Sequence, residues 1–394
     1  MSLTRSHVLG LSLSACAALA VAGVAVRNGA GHDYVQFHAA ASLLREGKSP
    51  YSVDGQTRVQ RILREAEGPR RRDSTDPYEA IGVLPYFYPP WLALACLPLT
   101  ALAYPVAKAV WVGLGAQCLA ASGYGLAELG RRPVSRTMAV ALALGLMPCY
   151  ASVQLGQTPP LVLAALVAAA WLLRSDRDFL AGAALAWAVV KPQLAVVAVP
   201  SALLWAARRG RWGVVAGFAA TLGALGLVSA LIVPDWPFEM LKAPTRVPLP
   251  TTLDPSVGVT WLSVLRTLGA SGFVLALGVA CVAVPAALAA FRAAWDRARP
   301  VTDALALGLI AAFFVAPYSL GYDLAVLVFP LLMLSPRLPV WALALALLGP
   351  YWHLAAVNAG ARQVGFCAWP AALAWAWWRC RREGSRFKNE RRDK

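Results

Sequence analysis

Few side chains in this sequence could do acid–base or phosphate chemistry, and they are widely spaced. Asp33, between His32 and Tyr34, follows the first apolar run by a few residues. A carboxylate held there could take the proton of a hydroxyl nucleophile. It could equally cap the helix that begins at Tyr34, a position that favours Asp. Lys191 stands between apolar flanks, where an ionisable group points to function and needs a carboxylate or a phosphate as partner. A lysine snorkelling from a short helix gives the same pattern. Gln154 and Gln157 surround Gly156 ahead of Pro159-Pro160, so their amides fall at a helix break, either as donors to a ligand or as partners for freed backbone groups. Tyr322-Asp323, within PYSLGYDL, repeats the combination of breaker, aromatic and carboxylate. Asp323 could orient a substrate hydroxyl, pair with Lys191, or cap the next helix. Near the C-terminus, His353, Asn358, Arg362 and Gln363 form a further polar group. There Arg362 could grip a phosphate with its forked donors, or simply sit at an interface.

Several chemistries are excluded by what is missing. There is no P-loop, GxSxG, HExxH or cluster of His, Cys and carboxylates at metal spacing. A nucleotide-driven motor, a serine hydrolase and a zincin are therefore ruled out, no metal or cofactor is called for, and gradient-driven transport stays open. The seven cysteines lie in or beside apolar runs without a CxxC pair, so they signal neither zinc nor a disulfide framework.

The elements that must hold these groups are set by composition. Hydrophobic residues make up 59% of the 394 and charged residues 14%. A chain this apolar cannot cover itself with polar groups, so it is expected to be an all-α polytopic membrane protein facing lipid. Leu13-Ser14-Ala15-Cys16 resembles a lipoprotein cleavage box, but the apolar run continues to Val26, and Val8 to Val26 is expected to be a first span. Residues 27–87 form the longest polar stretch. Tyr34, Phe37, Ala41 and Leu44 stand near helical spacing, which predicts an amphipathic helix lying on the membrane surface, and a second helix is expected from Val59 to Glu67. Arg58 to Arg72 could meet anionic lipid, but Glu65, Glu67 and Asp73 dilute its charge toward a solvated face.

Beyond Tyr86 the chain alternates between two kinds of turn. Basic turns lie at Arg131–Arg136, Arg174–Arg177, Arg208–Arg211, Arg292–Arg299 and Arg337, and the tail 379–394 is basic as well. Polar turns rich in Gly, Pro and amide lie at Gln154–Pro160, Lys191–Gln193, Pro317–Asp323 and His353–Gln363. The positive-inside rule places the basic turns in the cytoplasm and the polar ones, with Asp33, on the opposite face. Twenty of the 36 basic residues fall in those turns and the tail, so the net charge of +16 is mainly a topology signal and not a nucleic-acid footprint. Phe179 to Val190 is too short for the ~30 Å apolar core, which predicts polar apices set within the membrane's thickness in a wet cleft. Pro89 to Gly130 has room for two spans but a proline-rich, short or bent first part. The total comes to about 11–13 spans, with residues 1–378 as one membrane domain and 379–394 as a cytoplasmic tail.

One ordered set of residues resembles the bacterial polyprenol-phosphate-sugar-dependent enzymes of glycosyltransferase family 87, in the GT-C class. It comprises Asp33-Tyr34, Gly47-Lys48-Ser49-Pro50-Tyr51, Phe87-Tyr88-Pro89-Pro90 with Pro98-Leu99, Gly156-Gln157, Lys191-Pro192 and Tyr322-Asp323-Leu324. The resemblance implies a GT-C-like helical bundle in the bacterial inner membrane, with its active site on the periplasmic face. It implies inverting transfer of a hexose or pentose, mannose foremost, from a polyprenyl-phosphate donor to a lipid or glycan acceptor, with no nucleic acid involved. Asp33 would then be the base for the acceptor hydroxyl and Lys191, with Arg362, would meet the donor phosphate. Tyr34, Tyr88, Gln157, Tyr322 and Asp323 would hold the substrates. Two positions depart from the family's pattern: Pro159 stands where GQxN has Asn, and Tyr322-Asp323 replaces a histidine-containing form. Both bear on the identity of the sugar. A transporter or flippase of a lipid-linked or anionic substrate is the reading from another class, because broken helices with polar apices also describe such proteins.

Overall fold

A computed structural model describes residues 5–27, 31–52, 86–130, 134–246 and 258–334, with positions 55, 58–59, 61–62 and 65 between them. The loop Gly68 to Pro77, Arg362 with the rest of the last polar group, Arg337 and the tail 379–394 lie outside the described residues. Every regular element among the described residues is helical.

Helix α1 (Arg5–Arg27) runs through Cys16 without a break. Helix α2 (Tyr34–Arg45) begins directly after Asp33 and ends at Glu46, before Gly47, as the spacing predicts. Its setting differs from the expectation. Every residue from Tyr34 to Leu44 is buried, so α2 is an interior helix and not a surface one. The reason lies in the residues between the spaced apolar positions. Val35, Ala39, Ala40 and Leu43 are apolar too, and a helix that is apolar all round belongs inside. Its polar members find partners: Ser42 Oγ donates to the His38 carbonyl (2.8 Å), and the His38 Nδ1 lies 3.3 Å from the Tyr34 hydroxyl. The positions described between 55 and 65 are helical, in keeping with a helix near Val59.

The stretch from Pro89 to Gly130 divides into a short helix α3 (Pro90–Cys96) with a 3-10 turn (Leu97–Ala101), then one long helix α4 (Tyr104–Leu129). Helices α5 (Arg136–Gly145) and α6 (Met147–Leu155) meet at a bend of 57°. Then follow α7 (Pro159–Arg174), α8 (Asp178–Ala188), the single turn α9 (Pro192–Ala195) and α10 (Ala198–Ala207). Among the described residues two helices are long and apolar enough to cross a membrane, α11 (Trp212–Ile232) and α14 (Gly272–Trp295), and the bent pair α5–α6 makes a third candidate. Between α11 and α14 lie α12 (Trp236–Arg246) and α13 (Trp261–Thr267). The described chain closes with α15 (Val301–Val315), a 3-10 helix (Gly321–Leu327) and α16 (Val328–Leu334).

Helices α8 and α11 pack face to face through Gly182 and Gly217, where any Cβ would collide with the facing backbone at Val214 and Phe179. Small residues at such a contact let backbones approach closely, a common device in membrane bundles.

The two kinds of turn lie at opposite ends of the helices they join. Helix α7 has the polar turn at Pro159 and the basic one after Arg174; α8 has the basic turn before it and Lys191 after it. The basic ends are tied to one another. Arg174 donates to the Glu128 carbonyl (2.5 Å), and Arg136 pairs with the Glu128 carboxylate. Arg211 bridges to Asp178 (2.5 Å) and Asp176 (3.0 Å), while Arg209 donates to the carbonyls of Asp296 (2.9 Å) and Arg299 (2.6 Å). Four separate basic turns thus converge on one end of the bundle.

Candidate active site

The polar turns converge at the other end, around Gln157. The chain leaving α1 is pinned to the end of α6 by two backbone bonds, Gly31 N–H to the Gln154 carbonyl (2.8 Å) and Asp33 N–H to the Leu155 carbonyl (2.9 Å). Helix α6 ends at Gly156, which has φ +71°, the left-handed geometry that glycine adopts without strain. A Cβ on Gly156 would stand 3.0 Å from the Gly31 Cα, so any side chain here would press the two strands of chain apart. The Gly156 carbonyl accepts from the indole of Trp111 (2.8 Å) on α4. Pro159 and Pro160 then start α7, where their missing N–H groups cost nothing. Gln157 is left between two helix ends, facing Asp33.

The side chains complete a network. Asp33 occupies the position before α2 but makes no side-chain cap bond to that helix. Its carboxylate instead accepts from Gln157 Nε2 at 2.5 Å, with His32 Nδ1 at 3.4 Å from its other oxygen. The helix-cap reading of Asp33 therefore does not describe its side chain. The Gln157 carbonyl oxygen accepts from the Tyr88 hydroxyl (3.0 Å) and faces Lys191 Nζ (3.4 Å). Those two donors fix which way the amide points, and so direct its N–H groups at Asp33. Lys191 closes the chain on Asp323, 2.5 Å from Oδ1, with its ammonium 4.6 Å from the centre of the Tyr322 ring.

Each partner is held in place by its own surroundings. Asp323 Oδ2 accepts the Leu320 N–H (2.9 Å), so the carboxylate both caps its 3-10 helix and pairs with Lys191. Ser152 Oγ on α6 donates to the Tyr322 carbonyl (2.8 Å), tying that turn to the Gln157 turn. The Tyr51 hydroxyl donates to the Tyr88 carbonyl (2.7 Å), and the Tyr88 ring stands edge-on to Phe37 at 5.0 Å.

The burial is decisive for the electrostatics. Asp33 is 8% exposed, Lys191 2% and Asp323 0%. An ion pair so deep loses much of its Coulomb gain to desolvation, and its worth lies in each charge having the other. Tyr88 and Tyr322 are only half-buried and mark the open side of the network.

Of the residues singled out in the sequence, Asp33, Tyr88, Gln157, Lys191, Tyr322 and Asp323 come together here. Tyr34 does not: its fully buried ring stacks on Trp111 (5.5 Å) and Tyr104 (6.1 Å), behind Asp33. Burial, then the charge of Arg45, lowers the neighbouring His38 imidazole from its ordinary pKa, which keeps it neutral against the Tyr34 hydroxyl. Arg362 lies outside the described residues. Sequence reasoning missed Tyr318, half-buried and near enough to Asp323, Tyr88 and Asp33 to interact with them electrostatically. It also missed the supports Ser152 and Trp111. Tyr318 stands in the same PYSLGYDL segment as Asp323, directly after the breaker Pro317, and that position was the available signal.

Short apolar helices with a buried carboxylate–amide–ammonium chain across their breaks define a membrane protein built around a reaction or binding centre. The chain belongs to glycosyltransferase family 87, whose family model matches residues 86–320. The match takes in Tyr88, Gln157, Lys191 and Tyr318; Asp33 precedes it, and Tyr322 and Asp323 follow its end by two and three residues. No curated protein and no solved structure gives a match. The protein is thus a glycosyltransferase, acting between a sugar donor and an acceptor.

Proposed function

We propose that this glycosyltransferase moves a hexose or pentose, mannose foremost, from a polyprenyl-phosphate sugar to a lipid or glycan acceptor, with Asp33 as general base. The observation that carries the proposal is the Asp33 carboxylate, which leaves the helix it could cap and is held by Gln157 beside an open side walled by tyrosines. In the reaction Asp33 takes the proton of the acceptor hydroxyl. The freed oxygen bonds to the anomeric carbon from the face opposite the phosphate, and the bond from that carbon to the phosphate oxygen breaks. Its electron pair leaves with the polyprenyl phosphate, and the configuration inverts. A phosphate already carried on a lipid is a good leaving group, so no nucleotide is required.

Lys191, already paired with Asp323 and facing Gln157, is the cation offered to the departing phosphate, with Arg362 as its proposed second ligand. Gln157 acts as a positioning residue, since its amide is engaged by protein at both ends. The separation of basic turns from site turns supports a periplasmic site in a bacterial inner membrane, because basic turns stay in the cytoplasm. On this reading residues 1–378 form one GT-C-like domain of about 11–13 spans, residues 27–87 its outer loop and 379–394 its cytoplasmic tail.

The test is transfer by Asp33→Asn in native membranes supplied with a series of labelled polyprenyl-phosphate sugars. Loss of about 10²–10⁴-fold in rate is expected when a general base is removed. Undiminished transfer would sink the base assignment, whereas no transfer by the unaltered protein from any donor would sink the donor class.

A further inference from the structure

The surface helix expected at α2 has a counterpart elsewhere, and α12 carries its signature. Helix α11 spans 21 residues, about 31 Å at the helical rise, which already covers the ~30 Å apolar core. Its last turns remain lipid-facing, with Leu227, Val228, Leu231 and Ile232 all exposed. The chain turns at Val233–Asp235, and α12 starts at the next residue, Trp236, at the depth where apolar core gives way to head groups. An 11-residue helix carrying Glu239 and Lys242 cannot re-enter the core, yet it is not a water-facing helix either.

Its side chains sort onto separate faces. Trp236, Met240 and Ala243, at i, i+4 and i+7, pack against the protein core. Phe238 and Leu241 point away from it and are 65% and 71% exposed, and Lys242 borders them. Two large apolar groups so open, continuous with the lipid-facing end of α11, have one environment that matches them. We propose that α12 lies in the outer boundary of the bilayer, with Phe238 and Leu241 among the acyl chains at the depth where amphipathic helices settle.

The consequence reaches the site. Trp236 meets Trp91 edge-on, with ring centres 5.4 Å apart, and Trp91 belongs to α3, three residues after Tyr88. Helix α12 therefore ties the membrane surface to the wall of the network. This placement concerns the fold and stands apart from the choice of sugar or donor.

The test replaces Phe238 or Leu241, one at a time, with the photo-crosslinker benzoylphenylalanine in the full-length protein. The protein is placed in vesicles of phosphatidylethanolamine and phosphatidylglycerol, and a third variant carries the probe at Met240. Irradiation followed by mass spectrometry is expected to give phospholipid adducts at 238 and 241 and within-chain adducts at 240. Adducts at 238 and 241 to the same chain or to a second copy, or no adduct at either, would overturn the proposal. An aromatic probe in place of exposed Phe238 leaves the packed face of α12 untouched.

Discussion

Helices α11 and α14 and the helices that carry the site solve the same problem in opposite ways. The first two are 21 and 24 residues long, and of their most apolar stretches only 11% and 6% of residues are buried. A continuous helix satisfies its own backbone, so it can face lipid with nothing but apolar side chains. Helices α6, α7 and α8 have 9, 16 and 11 residues and meet at turns whose Gln157 and Lys191 are buried. Every such end frees N–H and carbonyl groups that must be answered inside the protein. The Gly31–Gln154 and Asp33–Leu155 backbone bonds and the Trp111 indole are those answers at the end of α6, and the Asp323 cap does the same for the 3-10 helix Gly321–Leu327. Once polar groups are present for structural reasons, the side chains at the same breaks can be catalytic. The broken half of the molecule thus holds the buried polar network proposed as the active site, and the unbroken helices face lipid.

Substitutions should separate the two halves sharply. The largest effect is expected from Lys191→Met, which leaves Asp323 buried without its cation. Removing one partner of a buried pair costs about 3–5 kcal/mol, to be read as a fall in thermal unfolding temperature in detergent. The paired change Lys191→Met with Asp323→Asn should recover most of that loss, because no lone charge remains and the amide oxygen can still accept the Leu320 N–H; no recovery would mean the site relies on more than charge balance. Next comes Gln157→Leu, which removes the donor to Asp33 while keeping the volume. Its turnover should fall about 10²-fold through misplacement of the proposed base, with KM and unfolding temperature much less affected. A KM change of the same size would instead make Gln157 a substrate ligand. The smallest effect belongs to the lipid side. Leu231, 75% exposed at the end of α11, should accept Ala within about 0.5 kcal/mol and at full activity.

Much of this was legible in the residues. The alternation of basic and polar turns needed only the positions of Arg, Gly and Pro, and the convergence of Arg174, Arg209 and Arg211 with neighbouring turns agrees with it. The short arm before Lys191 was visible as a run of twelve residues, and α8 with its turn fills it. The pairing of Lys191 with Asp323 was one of the alternatives for each, since both sit in apolar surroundings that forbid a lone charge. Helix α2 was misplaced because a spacing of 34, 37, 41 and 44 satisfies a surface helix and an interior one alike. What tells them apart is whether the remaining faces meet protein, and that depends on α3 and α4, 45 and more residues further along the chain. Tyr51 shows the same limit, for its role lies in the Tyr88 carbonyl 37 residues on.

By itself the sequence determined the membrane setting, the helical class, the order of turns and the scarcity of ionisable groups, because these follow from hydropathy, helix length and charge counted along one chain. Only the tertiary structure decided that Asp33 turns from its helix to Gln157, that the amide's carbonyl faces Tyr88 and Lys191, and that Tyr34 stacks behind the site. Those outcomes are contests between partners: a carboxylate can accept from a helix N–H or from an amide, and the choice falls to whichever donor the packing brings within reach. Gly31 against Gly156 brings the amide there.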